Sequence, residues 1–203
     1  METIDYKKLW GNAMSYPSYR ELIDRLTKEG KTTGLDQSQS LIDYTALNAQ
    51  RMKRIDKTYH PNQALIETLS KLKGKVLVMT ITESWCGDAA QIVPVASALL
   101  DQIGIQSRLV LRGENLDLID QHLTNGGRSI PIVMVLDAKS LNLISTWGPR
   151  PAEVQKMVMD YKSWPEPKSP YSEFSKQVQL WYAKNKYQSI ERELSELLVQ
   201  NIG

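Results

Sequence analysis

The sequence predicts an α/β fold: a three-layer arrangement in which a four-stranded mixed sheet is covered on both faces by helices, with helical extensions at both termini. Three observations predict it. Val76 to Thr82 is a short, almost unbroken apolar and β-branched run, the form a strand takes when helices cover both its faces. After it the element types alternate in the order β-α-β-α-β-β-α. A chain of 203 residues with 41% hydrophobic content has enough apolar surface to bury a core.

The elements follow in order. Residues 1–58 read as a helical extension. Ser18-Tyr19-Arg20-Glu21 has the form of a capping box, followed by Leu22, Ile23 and Leu26, with Gly30 as a stop. A second helix, about 39–57, carries Leu41, Tyr44, Asn48, Met52, Ile55 and Tyr59 along one face, interrupted only by Asn48. Asn62 caps a helix bearing Ala64, Leu65, Leu69 and Leu72, which ends in lysines before Gly74. After the strand at 76–82 come a helix to about Ile103, a strand at 106–112, a helix at 115–123 and a turn at Asn125-Gly126-Gly127. Strands at 132–136 and 143–147 form a hairpin, and Pro151 opens a helix with Val154, Met157, Val158 and Tyr161. A right-handed crossover plus this hairpin gives the mixed sheet. Beyond a Pro-rich joint at 164–170, residues 166–203 read as a terminal helical segment, its stripe from Phe174 to Leu198 suited to core or to a dimer contact. The central domain is assigned to 59–165.

Composition narrows the function. With 25 basic and 23 acidic residues the net charge is +2, so no strong field gathers nucleic acid or an anionic membrane. No run approaches the ~20 apolar residues of a membrane span. The start, Met1-Glu2-Thr3-Ile4-Asp5, has no signal-peptide character, and a single cysteine forms no internal disulfide, so the expected compartment is cytoplasmic. His60 and His122 stand far apart, and no metal is expected.

The chemistry centres on Trp85-Cys86-Gly87-Asp88, at the junction of the buried strand and the next helix. There the sulfur meets unpaired N–H groups and the positive end of the helix dipole, which favour thiolate, while Asp88 works against it. Sequence leaves that balance open. The chain resembles the thioredoxin family in three markers: a strand leading through Glu83-Ser84 into Trp85-Cys86-Gly87, a proline eight residues on at Pro94 inside the helix, and Ile130-Pro131 opening the third strand. The resemblance covers about 61–163. It implies a cis Ile130-Pro131 bond whose main chain, with Trp85, Gly87 and Asp88, docks an extended peptide or glutathione beside the thiol. Two departures matter. The family's second cysteine is Ala89 here, and its buried carboxylate falls at Thr80. A monothiol can attack a disulfide, but a second, external thiol must release it.

The expected activity is therefore monothiol thiol–disulfide exchange through Cys86, as a thiol–disulfide oxidoreductase acting on protein or small-molecule thiols and disulfides. No cofactor is expected beyond glutathione or another low-molecular-weight thiol as co-substrate. The alternative is a redox-inactive binding module using the groove at Ile130-Pro131. A peroxidase ranks last, since no threonine lies three residues before Cys86. The exchange reading requires an open sulfur. Asp88 reads as a first-turn carboxylate supporting the helix amino end, Arg128 and Arg150 as surface residues or cleft-flanking carboxylate ligands, and His122 as a cation near a helix end. The oligomeric state is left open.

Overall fold

Val76–Thr82, apolar at nearly every position, becomes the inner strand β1, with six of its seven residues buried. In the computed structural model, which describes residues 4–200, β1 pairs in parallel with β2 (Ser107–Leu111) and antiparallel with β3 (Ile132–Asp137). A fourth strand, β4 (Leu143–Trp147), pairs antiparallel with β3, so the order is β2-β1-β3-β4. Side chains leave alternate faces of each strand. Val76, Val78, Val133 and Val135 enter one core cluster; Met79, Ile81, Ile132, Met134 and Leu136 enter the other. Because both faces are dry, neither strand shows a polar alternation. The α/β, mixed four-stranded expectation therefore holds.

Nine α-helices lie among the described residues. Before the sheet come α1 (Tyr6–Asn12), α2 (Tyr16–Lys28), α3 (Gln39–Thr58) and α4 (Gln63–Leu69). Between strands lie α5 (Ala89–Gln102) and α6 (Leu116–Asp120), and after them α7 (Ala152–Ser163), α8 (Tyr171–Asn185) and α9 (Gln188–Val199). Residues 1–3 and 201–203, the outer ends of the two expected extensions, lie outside the described residues. Among the described residues, no helix is long and apolar enough to cross a membrane.

Three local expectations are corrected. The expected capping box at Ser18 lies inside α2. Ser15 is the cap, its Oγ accepting the Ser18 N–H at 3.3 Å, and Pro17 sits in the first turn, where its missing N–H costs nothing. The expected helix at 115–123 is shorter, a 3-10 turn over Arg112–Glu114 leading into the five-residue α6. The single terminal helix is two. Lys186 and Tyr187 adopt left-handed backbone (φ 49° and 70°), and the Asn185 side chain restarts the helix by accepting the Ser189 N–H at 2.9 Å. Phe174, Val178, Tyr182, Ile190, Leu194 and Leu198 then pack into the first core cluster, so the terminal stripe is core.

The loop after β4 is pressed against the start of β3. A Cβ on Gly148 (φ +132°) would overlap the Pro131 carbonyl oxygen and sit 3.3 Å from Ile132 Cα, so only glycine fits there. Gly148→Ala is expected to cost at least ~2 kcal/mol in equilibrium denaturation. An unchanged midpoint would contradict this packing.

Candidate active site around Cys86

Past β1 the chain turns at Trp85-Cys86-Gly87-Asp88 and enters α5. The Cys86 N–H donates to the Glu83 carbonyl (3.2 Å) and the Ala90 N–H to the Cys86 carbonyl (3.0 Å). These bonds leave the sulfur at the amino end of α5, where it accepts the Ala89 N–H at 3.4 Å. The thiol itself donates to the Ile130 carbonyl at 3.2 Å, and the Ile130–Pro131 peptide is cis.

The open sulfur is corrected: Cys86 is only 8% exposed. It lines a cavity of about 470 Å³ whose other walls include Leu41, Tyr44 and Arg51 of α3 and Tyr171, Val178 and Gln179 of α8. Helices outside the sheet thus close over the sulfur. Burial, chiefly, and then the Asp88 carboxylate push its pKa up to about 12. The Ala89 and Asp88 N–H groups and the Arg150 guanidinium pull it down and lose. In the balance that sequence left open, desolvation wins and the resting group is a thiol.

Asp88 stands at the amino end of α5, where the sequence places its carboxylate. Its backbone is helical (φ −70°, ψ −43°) and its side chain makes no capping bond. The carboxylate accepts instead from Arg150 Nε at 2.8 Å and from the Tyr182 hydroxyl of α8 at 2.9 Å. Arg150 also donates to Gln155 Oε1 at 2.8 Å. Gln179, one turn before Tyr182, accepts from Gln91 at 2.8 Å and donates to the Gly87 carbonyl at 3.4 Å. A Cβ on Gly87 would meet that same amide at 3.2 Å.

Trp85 is half-buried with the Arg112 guanidinium 4.7 Å over its ring, an attraction of cation and π face. Ile130 lines the cavity; Pro131, although buried, does not. Arg128 lines it too, but Asp120 holds it from outside through two bonds at 2.6 and 2.7 Å. His122 lies beyond α6 with Nε2 3.5 Å from the Tyr6 hydroxyl, and burial lowers its pKa, so the expected cation is disfavoured.

Sequence reading passed over several residues. Glu83, quoted only as part of the strand's exit, is 1% exposed, with Oε1 accepting the Gly113 N–H at 2.7 Å and Oε2 buried without a partner. Burial raises its pKa, against the pull of Thr33, Gly113 and Arg112. An acid directly following a buried strand was the available signal. Asn48, noted as the break in an apolar face, donates to the Ser84 carbonyl at 2.9 Å and accepts from Arg51 at 2.9 Å. Hydroxyls of Thr32, Thr33 and Thr45 gather on Ser84 Oγ at 2.9–3.1 Å.

A mixed sheet with one cysteine where its inner strand meets a helix, facing an Ile–Pro edge, defines a thioredoxin-like protein. Residues 34–162 match the family described as Thioredoxin (Thioredoxin_9), and the chain belongs to that family. The match takes in α3 as well as the sheet. Among curated proteins, none matches this chain. Among solved structures it is similar to a protein of unknown function, PA1234, from Pseudomonas aeruginosa, at 17% identity and TM-score 0.64, covering 99% of this chain and 100% of that one. It is also similar to an HIV epitope-scaffold, at 17% identity and TM-score 0.62, over 98% and 100%. At this identity the likeness is one of fold, and its extent includes the helices on both sides of the sheet.

Asp88→Asn removes the carboxylate that raises the thiol and releases Arg150, which lowers it. The Cys86 pKa should fall from about 12. At a fixed, mildly alkaline pH, alkylation by iodoacetamide should then quicken ~10-fold for each pH unit by which the thiol becomes more acidic. An equal or slower rate would contradict the assigned role of Asp88.

Proposed function

We propose that the protein carries out monothiol thiol–disulfide exchange through Cys86, on substrates that enter the cavity beside Ile130. Although only 8% exposed, the sulfur lines that cavity, so a substrate that enters there can reach it; this position, at the amino end of α5 and bonded to the Ile130 carbonyl at 3.2 Å, supports the reading. With the thiol pushed up to about 12, the attacking thiolate is a small minority at neutral pH. The resting protein is therefore a slow nucleophile, and docking has a task to perform. The Ile130 carbonyl accepts the S–H, which stabilises the neutral form. A ligand N–H that takes this carbonyl removes the thiol's acceptor and leaves the Ala89 and Asp88 N–H groups, which stabilise the anion.

The steps balance. Cys86 gives its proton to solvent, and the sulfur attacks one sulfur of a disulfide. The Cys86–substrate S–S bond forms as the substrate's own S–S bond breaks, and the departing thiolate takes up a proton. With Ala89 in place of a second cysteine, an external thiol then attacks the mixed disulfide, regenerates Cys86 and leaves with the substrate half as a new disulfide. That thiol is the reductant, and the protein ends unchanged.

Incubation with glutathione disulfide, followed by mass analysis, should give a single adduct on the intact chain and none on Cys86→Ser. Reduced glutathione should remove it. Absence of any adduct after exposure long enough to modify a free thiol many times over would refute the reading.

A further inference from the structure

Four guanidinium groups line the cavity, those of Arg51, Arg112, Arg128 and Arg150, against one carboxylate, that of Asp88. Arg150 is held by Asp88 and Arg128 by Asp120. The other two form no ion pair among the described residues. Arg51 donates to the Asn48 amide oxygen and loses solvation enough to lower its pKa. Arg112 donates to the Arg128 carbonyl and its Nε is buried without a partner; Glu83 senses its charge but forms no ion pair with it. Half-buried guanidinium without a counterion is costly, and an anion in the cavity removes that cost.

These two groups also have a place relative to the sulfur. Arg51 Nη1 lies 3.8 Å from where a Gly87 Cβ would stand, and Arg112 lies over the Trp85 ring. They stand next to the residues on either side of Cys86. We infer that the cavity takes a small organic disulfide with an anionic group at each end, one end on Arg51, the other on Arg112, its S–S bond presented to Cys86. Leu41, Tyr44, Val158 and Tyr171 supply the apolar wall for its carbon chain. A cavity of about 470 Å³ walled by α3 and α8 suits such a molecule. The disulfide part of this assignment rests on the proposed exchange reaction; the dianionic part rests on the arginines alone.

Three disulfides that share a CH₂CH₂–S–S–CH₂CH₂ centre and differ in their end groups separate the possibilities: dithiodipropionate (two carboxylates), hydroxyethyl disulfide (neutral) and cystamine (two ammonium groups). Rates of Cys86 adduct formation, each divided by the rate with free β-mercaptoethanol, should favour the dianion over the neutral compound by about 10-fold or more, with cystamine slowest. Arg51→Gln and Arg112→Gln should each remove about 3-fold of that preference. Calorimetry on Cys86→Ser gives the binding step without chemistry and should show the same order. Equal normalised rates, equal binding, or a disulfide-linked decapeptide reacting as fast as the dianion would overturn the inference. If no disulfide modifies Cys86 yet Cys86→Ser binds the dianion selectively, the anion site stands and the exchange reaction falls.

Discussion

The Asp88 carboxylate, held between Arg150 and Tyr182, joins three parts of the chain that are distant in sequence: the start of α5, the loop after β4, and α8. Both charged side chains are only 12% exposed, so neither can be left unpaired without a large desolvation cost. The bond to Tyr182, with Gln179 on Gln91 and on Gly87, fixes α8 across the mouth of the strand–helix junction. The same carboxylate raises the neighbouring thiol. Closing the site and quieting its nucleophile are thus two consequences of one buried anion.

On the opposite wall α3 is fixed by neutral groups. Asn48 and Thr45 enter a hydroxyl and amide cluster around Ser84, two residues before the cysteine, and Asn48 orients Arg51. Buried polar groups are tolerable when every partner is supplied, and this cluster supplies them. Glu83 is the exception, with Oε2 unsatisfied beside a well-paired Oε1. Burial raises its pKa.

Much of the fold was legible because it rests on local rules. The run at 76–82 could only be a doubly covered strand, Asn62 caps α4 as read, with its Oδ1 accepting the Ala64 N–H at 2.9 Å, and Pro94 sits inside α5. Ends failed where a nearby residue offered a better bond, as Ser15 did over Ser18 and Asn185 did within the terminal helix. The site was legible only along the chain. Trp85 to Asp88 and Ile130 carry its signature, but what decides its chemistry comes from residues far along the chain: Arg51, Gln179, Tyr182 and Arg150. No periodicity or spacing announces those contacts. Asn48 was visible as an interruption, and only the packing of α3 on Ser84 shows what it does.

The chemistry of the site turns on a sulfur kept covered and protonated by helices outside the sheet. The direct measurement is the ultraviolet absorbance of the Cys86 thiolate, titrated against pH on the folded full chain with Cys86→Ser as blank. The midpoint should lie well above the ~8.5 of a free thiol. A midpoint below that value would mean that the dipole of α5 prevails over burial and Asp88, and would contradict the closed site described for this protein.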